Sequence, residues 1–220
     1  IYNKNNHRSK KNYVYAFAPN YQETDKYSNL ENTKKEIKSI LNYFKGEVYI
    51  GESATKTKFK SISGKNGIFH LALHANLEKV NSDYSYLAFS QTNIEKDKNL
   101  MYSYEISSYQ INASMVVLSA CSTGDGKIFS GEGVMSLSRG FILAGASSVI
   151  HTLWEINDET SAVIIDCFYK FLSEGKSKSE ALQLAKIKYI ENSSPEMSNP
   201  VYWSGIVLLG NQNPLVLSLI

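Results

Sequence analysis

The stretch "VVLSACSTGDG", from Val116 to Gly126, decides the fold class of this 220-residue chain. It begins as a short apolar run, which is typical of a strand buried on both faces of a parallel sheet. It then places Cys121 directly ahead of small and flexible residues. In an open α/β sheet, side chains that carry out chemistry lie where strands end and loops begin. The stretch therefore predicts a parallel α/β sheet with a cysteine at its carboxyl edge.

Strand and helix patterns alternate along the rest of the chain. Strand patterns lie at residues 13–18, 47–50, 67–75, 114–121, 147–154 and 201–210, and helical patterns at 29–44, 53–62, 131–146, 158–175 and 177–192. Ser53 is the predicted entry to the second helix, and Gly145 the predicted end of the third. Residues 86–103 instead predict a local hairpin. This alternation indicates βαβ crossovers, and so a mostly parallel central sheet flanked by helices on both faces.

Length and composition predict one domain over residues 13–220, preceded by a polar tail over residues 1–12. A net charge of +2 gives no indication of a nucleic-acid partner, and no apolar run is long enough to span a bilayer. Two cysteines without clustered spacing do not form a disulfide framework or a zinc site. We therefore expect a cytoplasmic protein with no metal, no cofactor, no nucleic acid and no membrane contact in this fragment.

A histidine and a cysteine close two of the predicted strands. His74 ends the strand pattern at 67–75, as Cys121 ends its own. If the two strands are neighbours, both side chains lie at the same sheet edge, where imidazole can accept the proton of a thiol with an ordinary pKa of about 8.5. The backbone N–H groups of Cys121 and Ala75 are then candidate oxyanion donors. The alternative is that Cys121 is a small apolar residue finishing a buried strand.

The other histidines and the second cysteine have structural interpretations. His70 and His151 lie inside strand patterns, and we expect both to be buried and hydrogen-bonded. Cys167 lies in an apolar helical run and is predicted to be a core residue. The sequence contains no GxSxG, no GxxxxGK[ST] and no HExxH. Those catalytic templates give no competing prediction.

Six segments in order resemble the CHAT family of caspase-like cysteine peptidases, which is related to caspases and separase. They are "IFHLALHA", "MVVLSACSTGDG", "GEGVMSLSRGFILAGASSVIHTLWEIND", "FYKFL", "SEALQLAK" and "NPVYWSGIVLLG". The resemblance covers residues 13–210. It implies the caspase-haemoglobinase fold and a Cys/His dyad, with Cys121 as the nucleophile and His74 as the base. Their separation of 47 positions (121 − 74) suits a caspase-type arrangement.

Two positions depart from the family pattern. Ala75 stands where relatives usually have glycine after the histidine, and "ACSTG" stands where "ACETG" is common. The resemblance implies a bacterial cysteine endopeptidase in defence or signalling that cleaves protein substrates. It also implies a helical-repeat (TPR-like) region or a regulatory partner outside this chain. The alternative is a catalytically inactive interaction module on the same fold.

The segment "LWEINDETSA" resembles the part of separase that contributes an acidic residue to recognition of a basic side chain before the scissile bond. Glu155 and Asp158 are the acidic residues here. The hypothesis is a preference for arginine or lysine at P1, with Asp158 the stronger candidate, because a carboxylate forms charge-assisted hydrogen bonds with such side chains. The alternative is that Asp158 only caps the helix that follows.

Overall fold

The computed structural model describes residues 13–21, 33–78, 80–90, 99–119 and 131–215. The polar tail predicted at residues 1–12 lies outside them. Within these ranges the strands are β1 (Val14–Ala18), β2 (Gly46–Ile50), β3 (Gly67–Leu71), β4 (His74–Asn76), β5 (Tyr86–Ala88), β6 (Leu100–Tyr102), β7 (Ala113–Leu118), β8 (Ser148–Thr152) and β9 (Ile206–Gly210). The α-helices in the same ranges are α1 (Thr33–Tyr43), α2 (Lys56–Ile62), α3 (Ser103–Ile106), α4 (Gly131–Leu143), α5 (Asp158–Ser173) and α6 (Lys178–Glu191).

Six strands form the central sheet in the order β2-β1-β3-β7-β8-β9. Every pair in it is parallel except β8 with β9, which is antiparallel. Parallel neighbours require crossover connections, and helices supply them. The prediction of a mostly parallel sheet is therefore confirmed, with β9 as an antiparallel edge strand.

Helices cover both faces of this sheet. Ile40 of α1, Ile164 of α5 and Ala185 of α6 are buried in one apolar cluster. Phe59 of α2 and Phe141 of α4 belong to a second cluster on the opposite face. Successive side chains of the central strands β1, β3, β7 and β8 belong alternately to one cluster and to the other. These four strands are therefore buried on both faces. This burial explains the nearly continuous apolar runs in the sequence.

A second, antiparallel sheet contains β4, β5 and β6 in that order. Its β5 and β6 are the strands of the predicted hairpin. The strand predicted over residues 67–75 is wrong in its extent, because β3 ends at Leu71 and β4 begins at His74. The Ala72 N–H still donates to the Phe17 carbonyl at 3.0 Å, after which the chain leaves the central sheet and pairs with β5. His74 therefore opens a strand of the second sheet and does not close β3.

Two helix ends were predicted from single residues. Ser53 is not the entry to α2: Thr55 is the N-cap, its hydroxyl accepting a hydrogen bond from the Lys58 N–H at 3.0 Å. Gly145 ends α4 as predicted, with a φ of +111° that side chains other than glycine rarely adopt. A Cβ there would lie 2.6 Å from the Ile111 carbonyl oxygen.

Candidate functional site

The topology directs two chain segments to one edge of the central sheet. β3 and β7 are parallel neighbours, and Leu71 pairs with Leu118. His74 and Cys121 each lie three positions beyond that pair (74 − 71 and 121 − 118). Adjacent strands are about 4.8 Å apart, so β3 and β7 end side by side at this edge. Cys121 itself lies outside the described residues, and Ser119 is the last described residue before it.

His74 is fully buried at the start of β4. The ring of Tyr21 packs against its imidazole, with 4.8 Å between the ring centroids and a tilt of 54°. Tyr21 is itself 5% exposed and follows β1, the other neighbour of β3. The imidazole therefore lies beneath an aromatic ring at the carboxyl edge of the sheet.

The hydroxyl of Tyr21 also holds the backbone of His74. It accepts a hydrogen bond from the His74 N–H at 3.1 Å and donates one to the Ala88 carbonyl at 2.7 Å. His74 and Ala88 are directly opposite each other on β4 and β5. The hydroxyl thus replaces one direct bond of the ladder. The contact of Tyr21 with His74 was not predicted from the sequence. The signal in the sequence is the position of Tyr21, an aromatic residue just after a strand that ends at this edge.

Ala75 follows His74 in β4 and pairs with Leu87. Because a single hydroxyl contacts both the His74 N–H and the Ala88 carbonyl, these two groups face each other across the ladder. Along an antiparallel ladder, residues whose N–H and C=O groups face the partner strand alternate with residues whose groups face away. The Ala75 N–H therefore points away from β5. Within the described ranges, β4 pairs with β5 alone. The Ala75 N–H is therefore directed to the unpaired edge of β4.

The two acidic candidates follow β8. Glu155 is exposed in the segment that connects β8 to α5, and Asp158 is the partly exposed first residue of α5. Asp158 is not the N-cap, so the capping alternative is wrong. Asn157 takes that role, because its Oδ1 accepts hydrogen bonds from the N–H groups of Glu159 and Thr160 at 2.9 and 3.3 Å.

His70 is a buried histidine with polar contacts, as predicted. It is fully buried in β3, and its Nδ1 lies 3.2 Å from the Tyr169 hydroxyl. Its Nε2 lies 3.1 Å from Oε1 of Glu36, a residue that is 6% exposed. The ring N–H does not point along this line, so the second contact is electrostatic and not a straight hydrogen bond.

His151 differs from the prediction. It is 2% exposed in β8, but neither ring nitrogen has a hydrogen-bond partner among the described residues. Burial lowers the pKa of its imidazole from 6.5 to about 4. The expectation of burial is correct and the expectation of hydrogen bonding is wrong.

Cys167 has the surroundings of an unreactive thiol. It is a free, partly exposed cysteine on α5 that packs against the apolar cluster of α1, α5 and α6. Burial, and next the charge of Asp166, raises the pKa of its thiol. It therefore provides an internal reference for the reactivity of any other cysteine in the chain.

Among the residues whose placement is described, no group of three or more histidine, cysteine, aspartate or glutamate side chains is arranged to hold a metal ion. No helix in the same part of the chain has the length and apolar character needed to cross a membrane.

The solved structures that match this fold include caspase-like proteases of low sequence identity. The Arg-specific cysteine proteinase gingipain R of Porphyromonas gingivalis matches with a TM-score of 0.59 and 12% identity, over 96% of this chain and 49% of that one. Saccharomyces cerevisiae separase, solved with securin, gives 0.53 and 14%, over 92% of this chain and 12% of that one. The Drosophila initiator caspase Dronc gives 0.52 and 9%, over 93% and 81%.

Sequence comparisons place the chain in a family. It is 32% identical over 112 residues to human tetratricopeptide repeat protein 28, and 30% identical over the same length to the mouse protein. These matches span 51% of this chain and only 4% of either relative. A sequence model described as CHAT domain matches residues 4–211. This chain therefore belongs to the CHAT domain family, and its fold is that of the caspase-like proteases.

Proposed function

We propose that the chain is a cysteine endopeptidase in which Cys121 is the nucleophile and His74 the general base. The observation that carries the proposal is the register of the neighbouring parallel strands β3 and β7: their last residues, Leu71 and Leu118, are paired, and His74 and Cys121 each follow three positions later in the sequence. The Cys121 sulfur bonds to the substrate carbonyl carbon while His74 takes the thiol proton. His74 then protonates the leaving amine, and water hydrolyses the thioester.

The second part of the proposal concerns the tetrahedral intermediate. Its oxyanion requires N–H donors that are not already used by the sheet. The Ala75 N–H, directed to the unpaired edge of β4, meets that requirement, and the Cys121 N–H is the second donor. Alanine supplies the same N–H as the glycine of relatives, provided that the backbone direction is kept.

The third part concerns substrate choice. Asn157 caps α5 and Asp158 is the first residue of that helix, where a carboxylate suits a cationic P1 side chain. Gingipain R, which shares the fold, is described as Arg-specific. We therefore assign a preference for arginine or lysine at P1 to Asp158, with Glu155 as the weaker candidate.

The dyad is tested by alkylation with iodoacetamide at mildly acidic pH, followed by mass mapping of Cys121 and Cys167. Selective modification of Cys121 that His74→Ala suppresses supports the peptidase, because a neighbouring imidazole increases the thiolate fraction. Cys167, whose thiol pKa is raised, is the internal control. Equal slow modification of both cysteines supports the alternative, an inactive interaction module.

The P1 assignment is tested with pairs of peptides that differ only at P1, one with arginine and one with leucine. Asp158→Asn is expected to lower kcat/KM for the arginine peptide and to leave the leucine peptide unaffected. Glu155→Gln tests the weaker candidate in the same way, and Glu159→Gln is the matched control, since it removes a charge of the same sign from the exposed next residue. A preference for leucine or aspartate in the unmodified enzyme contradicts the assignment.

The natural substrate and partner require the full-length protein. The similarity to a tetratricopeptide repeat protein fits a TPR-like region that acts together with this domain. Incubating full-length wild type and Cys121→Ala with the products of neighbouring genes, and searching for new termini, identifies the substrate. Termini that appear with both proteins are not products of this dyad.

A further inference from the structure

A buried polar chain connects the end of β7 to three other elements. The Ser119 hydroxyl donates to Oε2 of Glu36 at 3.1 Å. The other oxygen of Glu36 lies 3.1 Å from Nε2 of His70, and Nδ1 of His70 lies 3.2 Å from the Tyr169 hydroxyl. The four residues come from the end of β7, from α1, from β3 and from α5. Three of them are at least nine-tenths buried.

The charge of Glu36 indicates a donor and an acceptor for the two hydrogen bonds of this chain, Ser119 with Glu36 and Tyr169 with His70. A carboxylate has no proton to give, so Ser119 is the donor to Glu36. The negative charge of Glu36 favours the proton on Nε2 of His70, which leaves Nδ1 to accept from Tyr169. Burial, followed by the charge of Glu36, raises the pKa of Tyr169, so its hydroxyl keeps its proton. Glu36 is therefore held from one side by His70 and holds Ser119 on the other.

Burying a carboxylate lowers the stability of the folded state unless the carboxylate is paired and hydrogen-bonded. Ser119 lies two positions before Cys121, and two residues reach about 7 Å at most. Fixing Ser119 against α1 thus limits where the nucleophile can lie. A displacement of about 1 Å from productive geometry can cost about 100-fold in rate, so an anchor this close in sequence to the proposed nucleophile bears on chemistry as well as on the fold.

We propose that Glu36 is a positioning residue for the nucleophile, acting through the hydroxyl of Ser119, with His70 and Tyr169 orienting its carboxylate. The proposal rests on the proposed peptidase function. It assigns a role to a buried acid and a buried histidine that the Cys121/His74 chemistry does not itself use.

The test compares Ser119→Ala, Ser119→Thr and Glu36→Gln with the wild type, all in the full-length protein. Ser119→Ala is expected to lower kcat about 10- to 100-fold with KM changed less than about twofold, because substrate contacts are intact. Ser119→Thr keeps a hydroxyl and is expected to restore most of the rate. Glu36→Gln keeps an acceptor without charge and is expected to lie between them. The His74-dependent part of Cys121 alkylation is expected to fall in the same order.

Ser114→Ala is the matched control, since its hydroxyl donates to the Gly67 carbonyl at 3.0 Å near the opposite end of the same strand. It is expected to leave kcat unchanged. If wild type is active but Ser119→Ala and Glu36→Gln equal it, or if Ser114→Ala loses as much rate, the positioning role is overturned alone. If wild type shows neither cleavage nor His74-dependent alkylation, the peptidase function is overturned and the positioning role with it.

Discussion

At the scale of single residues, the Tyr21 hydroxyl decides where the proposed base lies. It joins the His74 N–H to the Ala88 carbonyl, and its ring covers the imidazole. Without this hydroxyl, the His74 N–H and the Ala88 carbonyl both lose their shared partner in a buried place. One side chain therefore determines both the backbone path and the packing of His74.

Tyr21→Phe is expected to lower the free energy of unfolding by about 1–3 kcal/mol, because a buried donor and a buried acceptor are left unpaired. It is also expected to lower kcat roughly tenfold, since His74 loses its backbone anchor. Urea unfolding and peptide cleavage measure the two effects. Tyr109→Phe is the control: its hydroxyl donates to Glu105 at 3.3 Å away from this edge, so activity is expected to be unchanged. Equal kcat values for Tyr21→Phe and wild type would contradict the assignment.

His151 links stability to pH. Its pKa is about 4 in the folded protein and about 6.5 when the chain is unfolded. Between these values the unfolded state binds more protons, so stability is fully present above pH 6.5 and is lost as pH falls toward 4.

The free energy of unfolding is expected to fall by about 2–3 kcal/mol between pH 7 and pH 4 through His151 alone. His151→Leu removes this titration while the other acidic and basic groups titrate as before. The difference between the two pH profiles, measured by urea unfolding, isolates the contribution. Parallel profiles for the two proteins would show that His151 is not responsible.

At the scale of elements, the start of α5 shows which side chain caps the helix. Asn157 caps the helix, which leaves Asp158 as its first residue. An acid in the first turn is favourable beside the positive end of a helix, so Asp158 is compatible with the helix without capping it.

Asn157→Ala is expected to destabilise the protein by about 1 kcal/mol, because the N–H groups of Glu159 and Thr160 lose their acceptor. Asn157→Asp retains an acceptor and is expected to be close to wild type. Thermal unfolding of the two variants provides the comparison. A loss of similar size in both would mean that the cap is not the source of the effect.

Most elements were predictable from local pattern, and the exceptions have physical reasons. The run at 67–75 predicts one strand, because Leu71, Leu73 and Ala75 are all buried apolar residues at odd positions and so continue one face of a strand. The break after Leu71 arises because the chain exchanges partners, from β1 and β7 to β5. No residue in the run itself marks that exchange. The N-caps Thr55 and Asn157 were not distinguishable from Ser53 and Asp158, because all four residue types are common at helix N-caps.

At the scale of the whole molecule, an aromatic cluster joins the two sheets. The ring of Phe59 lies between 5.6 and 6.3 Å, centroid to centroid, from four others: Phe17, Phe69, Phe89 and Phe141. Phe89 directly follows β5 of the second sheet, while Phe17 and Phe69 belong to the central one. The hairpin that carries β5 is therefore packed on the same core as the parallel strands.

Phe59→Ala is expected to destabilise the protein by about 3–5 kcal/mol, since it leaves a cavity where both sheets and two helices meet. Val163→Ala, at a position 45% exposed on α5, is the control and is expected to cost less than about 0.5 kcal/mol. Urea unfolding followed by far-UV circular dichroism measures both. A cost below about 1 kcal/mol for Phe59→Ala would contradict the shared core.

The sequence by itself determined the type and order of the strands and helices, and it drew attention to His74 and Cys121, because hydrophobic periodicity records which side of each segment is buried. Only the tertiary structure decided that β3 and β7 are neighbours, that the Tyr21 hydroxyl joins His74 to Ala88, and that Glu36 reaches Ser119 across 83 positions. The reason is that a local hydrophobic pattern predicts which face of a strand or helix is buried. The segment that packs against that face is selected by contacts between residues far apart in the chain.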